Sequence, residues 1–412
     1  MRIIRFKKFL VAFVLALLFI LIIISNVFIN SNWFSPKISV TINNKQMVYL
    51  QNRKRILEEL DYQFTSDVYT STRNSLSSLF EIRKSERAIV YLVHTRRIWE
   101  LVRSLRFLFA NFNNRFRYPV LLFHRGDLFE WLARIILRIY LSADQMELIE
   151  IHEAEHSQEF PSEFNMETVD RDKIVFPHLW PNYQHMCAFW FRHVFLQPRL
   201  RNVKYIMRLD TDSVILSNIS YNIFDFMEKN NIKYGFKYRQ GENDCCAKKM
   251  VEYVYKYANH YSLLDKTSNE LSWLRNMNKA TLTENPFSLN PIGHQPDTYY
   301  TNFEVINLPA FRDDAEVWRF IDTTWHDPLL NLHGIYTLRW GDAPLRFQTI
   351  HLHSQMYRNL HAFCDLHYHH RQGFPATCNW SRDPKGDLHL QEKSRIMEFK
   401  ALCALAHLQN CS

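Results

Sequence analysis

The chain has 412 residues, of which 47% are hydrophobic and 22% are charged, so it is long enough for one large folded domain or two smaller ones. This composition excludes a mainly disordered protein. The formal charge of +8 is not gathered into a long basic run, so we expect no nucleic-acid partner. A small anionic substrate would also be compatible with this charge.

The first 29 residues have the pattern of a membrane anchor. Phe9 to Ile24 is an unbroken apolar run that Val27 to Ile29 extend, and four lysines and arginines precede it. The extended run approaches the roughly 20 residues that span a bilayer. The basic flank should stay in the cytosol, which places the rest of the chain in the lumen. A cleaved signal peptide is the alternative, but Ser25-Asn26-Val27 is a poor cleavage site.

The domain organisation follows from this anchor. Residues 30–86 are polar, rich in Asn, Ser and Arg, and weakly patterned, as expected of a stem. We therefore predict four segments: a cytosolic tail at 1–8, a transmembrane anchor at 9–29, a stem at 30–86 and a folded domain at 87–412. Seven cysteines and three Asn-x-Ser acceptor patterns follow the anchor, which agrees with a lumenal position, and the odd cysteine count leaves at least one thiol free or intermolecular.

Strand and helix patterns alternate from Ala88 onward. Strands are predicted at 88–93, 119–123, 148–151 and 203–209, and helices at 98–109, 128–141 and 186–194. A later segment, Tyr221 to Gly235, is predicted to form a short helix that returns to a strand. This alternation indicates an α/β protein with a mostly parallel, layered sheet.

The segment Tyr205 to Leu216 has the pattern of a buried strand followed by a polar turn. It is apolar up to Leu209, polar for four residues and then apolar again, which predicts a short buried strand that ends just before Asp210. Asp210 and Asp212 would then lie on the turn beyond its carboxyl end, where open α/β sheets hold ligands. Two carboxylates one residue apart can bind one hard cation, as a nucleotide-sugar transferase requires for its leaving diphosphate. A solvated turn is the alternative for this short motif.

The chain lacks the usual phosphate-binding loops. It contains neither G-x-G-x-x-G nor a P-loop, and only 8 glycines in all. A metal on Asp210 and Asp212 would replace the missing backbone cradle. This absence favours a metal-dependent sugar-nucleotide fold over a dinucleotide fold.

Three further features have both a functional and a structural interpretation. Glu304 lies in the apolar segment T-N-F-E-V, where a carboxylate is costly unless paired or catalytic, although an edge strand would expose it to solvent. Asp342, followed by Ala and Pro, is interpreted as a helix N-cap. A cluster near Cys364 and Cys378 contains four histidines, His361, His367, His369 and His370. These histidines could complete a metal shell, form a structural zinc site or lie in a surface loop.

Together these motifs resemble one family. From about Arg87 to Cys378 the chain is similar to the fungal α-1,2-mannosyltransferases of glycosyltransferase family 15, the glycolipid 2-α-mannosyltransferase group. The matching segments occur in the family's order: Y-P-V-L-L-F at Tyr118, Y-Q-H-M-C at Tyr183, M-R-L-D-T-D at Met207, Y-N-I-F-D-F-M-E-K-N-N-I-K-Y-G-F at Tyr221, T-N-F-E-V at Thr301, R-W-G-D-A-P at Arg339 and Y-H-H at Tyr368. The resemblance implies a GT-A (nucleotide-diphospho-sugar transferase) fold, GDP-mannose as donor, Mn²⁺ as cofactor, retention of configuration and a type II protein of the Golgi membrane.

The resemblance also implies roles for individual residues. Asp210 and Asp212 match the family's metal-binding acids, with Asp-Thr-Asp in place of the usual Glu-Pro-Asp. Glu304 matches its proposed nucleophile, His370 a metal ligand and Tyr183 a tyrosine near the nucleotide. Departures at Ala188, where the family has Arg, and between Phe236 and Thr301 leave the acceptor and the sugar open.

The expected function is therefore transfer of mannose from GDP-mannose to a mannose-terminated glycan on a glycoprotein or glycolipid. Mn²⁺ would neutralise the leaving GDP, and Glu304 would stabilise the anomeric carbon, either through a covalent intermediate or in a front-side mechanism. The sequence identifies no base for the acceptor hydroxyl. Three alternatives remain: a lumenal glycan-binding protein without turnover, a transferase for another nucleotide sugar, and a metal-dependent phosphoesterase, which would need more ligands than the sequence offers.

Overall fold

The structure is a computed structural model that describes residues 86–169, 177–242, 246–247, 249–276, 297–370, 380–382 and 388–390. All of these residues fall in one compact unit. The predicted cytosolic tail, anchor and stem lie outside the described residues, except for Glu86. Within the described part of the chain, none of the helices has both the length and the apolar character that a membrane span requires.

The strands of the described ranges are short. They are β1 (Arg87–Leu92), β2 (Val120–His124), β3 (Ile149–Glu153), β4 (Tyr205–Leu209), β5 (Ser213–Ile215), β6 (Tyr234–Phe236), β7 (Arg239–Gly241), β8 (Asp297–Tyr299), β9 (Phe303–Asn307), β10 (Leu360–Ala362), β11 (Tyr368–His370), β12 (Trp380–Arg382) and β13 (Leu388–Leu390).

Helices connect most of these strands. The α-helices are α1 (Ile98–Leu108), α2 (Asn114–Phe116), α3 (Glu130–Tyr140), α4 (Ala143–Met146), α5 (Asn182–Phe191), α6 (Ile223–Lys229), α7 (Met250–His260), α8 (Leu308–Arg312), α9 (Ala315–His326), α10 (Gly334–Thr337), α11 (Asp342–His351) and α12 (Ser354–Tyr357). A π-helical turn, Phe109–Asn113, links α1 to α2. Short 3-10 helices are Thr95–Arg97, Met166–Thr168, Pro177–Leu179, His193–Leu196, Pro198–Leu200, Leu264–Lys266 and Asn269–Asn276.

Seven strands form the central sheet in the order β10-β6-β9-β4-β1-β2-β3. Four neighbouring pairs are parallel, as the sequence predicted: β3 with β2, β2 with β1, β1 with β4, and β6 with β10. The exception is β9, which runs antiparallel to both β4 and β6. This strand was not predicted to reverse, because periodicity within a strand carries no information about its direction.

Both faces of the sheet are buried. Alternate residues of β1 belong to two separate apolar clusters, Ala88 and Val90 to one and Ile89 and Tyr91 to the other. Successive side chains of a strand point to opposite faces, so each cluster lies on one face of the sheet. Helices α5, α7, α9 and α11 contribute to the first cluster, and α1, α3 and α6 to the second. A sheet covered on both faces explains why β1 and β2 are largely apolar runs.

The predicted elements of the first half agree closely with the observed ones, except for α5. Helix α5 begins earlier than predicted, at Asn182, and a 3-10 turn replaces its predicted end at His193–Leu196. The return from α6 to β6 is confirmed.

Candidate active site

The loop with the two predicted metal-binding aspartates begins directly after β4. The backbone N–H of Asp210 donates to the Asn302 carbonyl at 3.2 Å, and the N–H of Ser213 donates to the Asp210 carbonyl at 3.0 Å. These bonds fix a tight turn between β4 and β5. Asp210 and Asp212 therefore lie at the carboxyl edge of the central sheet, as the sequence predicted, where open α/β sheets bind ligands.

His370 reaches this loop through a two-stranded sheet. Strand β11 pairs antiparallel with β5, and His370 is the register partner of Ser213. The His370 Nε2 atom lies 2.9 Å from Asp212 Oδ1. One ligand atom each from Asp210, Asp212 and His370 fall within 4.8 Å of one another, and among the residues that the structure describes this is the one such trio of acids, histidines or cysteines. Two carboxylates and one imidazole fit a divalent transition-metal cation such as Mn²⁺.

Neighbouring groups orient and charge this trio. The Tyr300 hydroxyl lies 3.1 Å from His370 Nδ1, a contact that fixes the ring with Nε2 toward the aspartates. Arg97 Nη1 lies 3.7 Å from Asp212 Oδ2. Burial raises the pKa of Asp212, but the contacts with His370 and the charge of Arg97 outweigh it, and the net shift is downward. Asp212 is thus prepared to remain an anion.

The other histidines of the cluster do not join the trio. His361, on β10, packs its ring against Phe226 and Phe363 at 4.7 and 4.8 Å between centroids. His369 alternates with His370 along β11 and therefore points to the other side of that strand. Cys364 is disulfide-bonded, which removes it as a metal ligand. Cys187 and Cys246 are both buried.

Glu304 lies in the middle of the sheet, so the edge-strand interpretation is wrong. Its strand, β9, is paired on both sides, and the side chain is 0% exposed. Arg208 is its register partner on β4 and places Nη1 3.0 Å from Glu304 Oε1. Arg346 places Nε 3.4 Å from Glu304 Oε2. Burial raises the pKa of Glu304, the charges of Arg346 and Arg208 lower it, and the net shift is upward.

Arg208 connects Glu304 to two other carboxylates. The same Nη1 atom lies 2.5 Å from Asp342 Oδ2, and Nε lies 3.3 Å from Asp210 Oδ1. The guanidinium stacks over the Trp190 ring at 4.1 Å and is 2% exposed. A buried arginine is stable only when it is paired, and here its partners are carboxylates of three different elements. Arg208 therefore joins the loop of Asp210 and Asp212 to the buried glutamate.

The N-cap interpretation of Asp342 is wrong. Gly341 is the N-cap of α11, and Asp342 is the first residue of the helix. The Asp342 carboxylate instead accepts hydrogen bonds from Arg208 and, at 2.8 Å, from the Thr301 hydroxyl. The local pattern Asp-Ala-Pro could not reveal this, because both partners are distant in sequence: Arg208 lies on β4, and Thr301 lies in the turn before β9.

Tyr183 lies near the start of α5 and beside the start of α11. The Arg339 guanidinium stacks over its ring at 4.4 Å, and a Cβ atom at Gly341 would lie 3.8 Å from its hydroxyl. Tyr183 is therefore a neighbour of Gly341 and Asp342. This position leaves its predicted nucleotide contact open.

Sequence reasoning missed Arg208, Arg346 and Tyr300 as members of the site. One signal was present, since Arg208 interrupts an otherwise apolar strand, and such a charge must find a partner. Arg346 and Tyr300 gave no comparable signal, because arginine in a helix and tyrosine before a strand are ordinary on a protein surface.

Comparison with known proteins places this site in a family. Residues 40–394 match the family described as glycolipid 2-alpha-mannosyltransferase. The probable mannosyltransferase KTR3 of Saccharomyces cerevisiae is 25% identical, and the match covers 70% of this chain and 67% of KTR3. The probable mannosyltransferase KTR4 of the same yeast is 23% identical over 70% of this chain, which spans only 60% of KTR4.

Two solved structures have a similar fold. The mannosyltransferase Ktr4p of S. cerevisiae in complex with GDP has a TM-score of 0.59 and 22% identity, over 72% of this chain and 74% of Ktr4p. Core-mannan synthase A of Aspergillus fumigatus in its Mn/GDP form has a TM-score of 0.55 and 20% identity, over 78% and 84%. This chain thus has the mixed α/β glycosyltransferase fold of those structures, and it belongs to the glycolipid 2-alpha-mannosyltransferase family.

Proposed function

We propose that this protein is a retaining α-1,2-mannosyltransferase of GT-A type that moves mannose from GDP-mannose to a mannose-terminated glycan. The observation that supports this most strongly is a single connected site. A metal-binding trio and a fully buried glutamate, 0% exposed, are joined through the guanidinium of Arg208. A transferase needs both parts next to each other, because the leaving diphosphate and the anomeric carbon are neighbours in the donor.

Asp210, Asp212 and His370 are the residues that would hold Mn²⁺. The two carboxylate oxygens and the imidazole nitrogen fit the cation, and the Tyr300 hydroxyl fixes the imidazole. Bound Mn²⁺ would neutralise the charge that develops on the departing GDP. Among the structural relatives, one contains GDP and another contains manganese and GDP, which supports the same pair of ligands here.

Glu304 would act on the sugar. As the bond between the anomeric carbon and the phosphate oxygen breaks, positive charge develops on the sugar ring, and a carboxylate on its lower face stabilises that charge. Arg208 and Arg346 pair with different oxygens of Glu304 and so fix its plane before the donor arrives. Charge stabilisation by Glu304 is common to the covalent and the front-side mechanism. Tyr183, beside Gly341 and Asp342, is proposed to contact the nucleotide.

The proposed location is the Golgi membrane, with the folded domain in the lumen. Its support is the apolar run from Phe9 to Ile29 after a basic amino end. Carbonate extraction of the full chain should leave it in the membrane fraction, and endoglycosidase treatment should reduce its apparent mass. A soluble product with a new amino terminus beyond residue 25 would contradict the anchor.

The test of the function is a donor screen with the purified protein. GDP-mannose, GDP-fucose, UDP-glucose and UDP-galactose are compared with and without Mn²⁺, and release of the nucleoside diphosphate is measured. We expect release from GDP-mannose that depends on Mn²⁺ and rises when an α-mannoside acceptor is added. Release from another donor would support a different transferase, and glycan binding without any release would support a binding protein.

A further inference from the structure

The main chain of Asn302 is held from three sides. Its carbonyl oxygen accepts hydrogen bonds from the Asp210 backbone N–H at 3.2 Å, from the Ser213 hydroxyl at 3.2 Å and from the Tyr368 hydroxyl at 3.0 Å. The residue therefore occupies a fixed position between the metal-binding loop and β9. Because Glu304 is only two residues further on, the two side chains are close neighbours along the backbone.

The side chain of Asn302 is buried without a hydrogen bond. The residue is 4% exposed, and neither Oδ1 nor Nδ2 has a hydrogen-bond partner in the described part of the protein. The Tyr300 hydroxyl lies near this amide, but the two groups are not aligned for a hydrogen bond. An unpaired buried amide is costly, and native proteins tolerate it chiefly where a ligand or water completes it.

Asn113 shows what a structural asparagine looks like in this fold. It is 0% exposed, its Nδ2 donates to the Tyr118 carbonyl at 2.9 Å, and its Oδ1 accepts from the Tyr118 N–H at 2.8 Å. Both halves of that amide are used by the protein. The Asn302 amide differs, because neither of its ends has a hydrogen-bond partner among the described residues.

We propose that the Asn302 side chain hydrogen bonds a hydroxyl group of the donor hexose. In the proposed function, the sugar lies between the diphosphate held near Asp210 and Asp212 and the carboxylate of Glu304. The main chain of Asn302 is hydrogen-bonded to Asp210, and Asn302 precedes Glu304 by two residues. The side-chain amide of asparagine can both donate and accept hydrogen bonds, which suits a hydroxyl, whereas a phosphate needs donors only. Asn302 is thus a specificity-determining residue for the sugar, and this inference rests on the proposed function.

The experiment removes the amide from the protein and one hydroxyl group at a time from the donor, separately and together. Asn302→Ala and the wild-type protein are compared with GDP-mannose and with its 2-, 3-, 4- and 6-deoxy analogues, in Mn²⁺. We expect Asn302→Ala to lower kcat/KM for GDP-mannose by about tenfold to about a hundredfold, since a buried hydrogen-bonding group then lacks its partner. For one deoxy analogue the variant and the wild type should be nearly equal. Asn113→Ala should lower stability without changing the ratio between donors.

The affinities of the two proteins for the same donors can also be compared, and this measurement does not require turnover. Calorimetry should show equal affinity of both proteins for GDP, and a loss for GDP-mannose in Asn302→Ala that disappears with the same deoxy analogue. Equal losses for all donors, or a loss for GDP itself, would overturn the inference. If the affinities follow this pattern but the wild-type protein transfers no mannose, the role of Asn302 in sugar binding is supported and the proposed reaction is contradicted.

Discussion

Arg208 and Glu304 face each other on neighbouring antiparallel strands, with 3.0 Å between Nη1 and Oε1. Both side chains are almost fully buried, at 2% and 0% exposure. A buried pair of this kind adds little net stability compared with apolar residues, because desolvation of the two charges offsets their attraction. Its presence in the centre of the sheet is therefore better explained by function than by folding.

Glu304→Gln should abolish transfer and spare the binding of GDP. The variant keeps the size of the side chain and removes the charge that stabilises the transition state, so kcat should fall by about a hundredfold or more. Asp342 and Asp210 still neutralise Arg208, but Arg346 loses its carboxylate, so we also expect a lower melting temperature. Turnover, GDP affinity and melting temperature should be measured on one preparation.

A matched control separates the loss of charge from the loss of stability. Asp327 is 0% exposed, and its carboxylate accepts backbone hydrogen bonds from Leu330, Leu332 and His333. Asp327→Asn should lower the melting temperature and leave kcat of the folded protein unchanged. Near-normal kcat in Glu304→Gln would remove Glu304 from the mechanism.

Arg208→Lys should fold and bind Mn²⁺ and GDP, but turn over slowly. Lysine keeps the positive charge and loses the planar fork that reaches Glu304, Asp342 and Asp210 at once. Misplacement of the reacting groups should lower kcat by about tenfold to about a hundredfold. The readout is kcat and KM measured separately, since a merely structural arginine would change stability and leave kcat intact.

Arg192→Lys is the control for this variant. Arg192 forms two hydrogen bonds with Asp322, at 3.1 and 2.7 Å, and stacks near Trp318 and Trp325. Its replacement should cost stability only. If both lysine variants lower kcat equally, the effect is general, and the proposal that Arg208 positions the reacting groups is refuted.

Asp212→Asn should weaken the Mn²⁺-dependent part of GDP binding. The change removes one anionic ligand and its contact with His370 while keeping the shape of the side chain. Loss of a ligand should cost at least about tenfold in metal-dependent affinity, since even its supporting contacts are worth that much. Calorimetric titration of GDP with and without Mn²⁺ measures this, with the exposed Asp313→Asn as a control. Equal Mn²⁺ dependence in all three proteins would refute the metal site.

Acid should destabilise the fold partly through His193. Burial, with the charges of Arg192, His156 and His185, lowers the pKa of His193 to about 3. The unfolded chain binds this proton near the ordinary pKa of about 6.5, so the contribution to stability is complete above that pH and is lost as the pH falls toward 3. At pH 5 the loss from this group should reach about 2 kcal/mol.

His193→Phe tests this assignment. The ring lies edge-on to Trp325 at 4.6 Å between centroids, and a phenyl ring preserves that packing. Unfolding free energies measured at pH 7 and pH 5 should differ less in the variant than in the wild type. The same difference in both proteins would mean that His193 is not the group that titrates.

The sequence was informative where chemistry is local. Asp210 and Asp212 could be placed because an apolar strand ends directly before them, and Glu304 because a carboxylate in an apolar segment is costly. The assignment of His370 depended on the family resemblance, since among the neighbouring histidines only register selects it. Asp342 was misassigned because its partners, Arg208 and Thr301, lie 134 and 41 residues away.

The most direct test of the central claim is product analysis with the wild-type protein. GDP-mannose, methyl α-mannoside and Mn²⁺ are incubated with the purified chain, and the product is examined by proton NMR. A new α-linked mannose on the 2-hydroxyl, absent when Mn²⁺ is chelated, is the result we predict. Formation of a β-linked product, transfer that persists without a divalent cation, or no transfer from GDP-mannose would contradict the account.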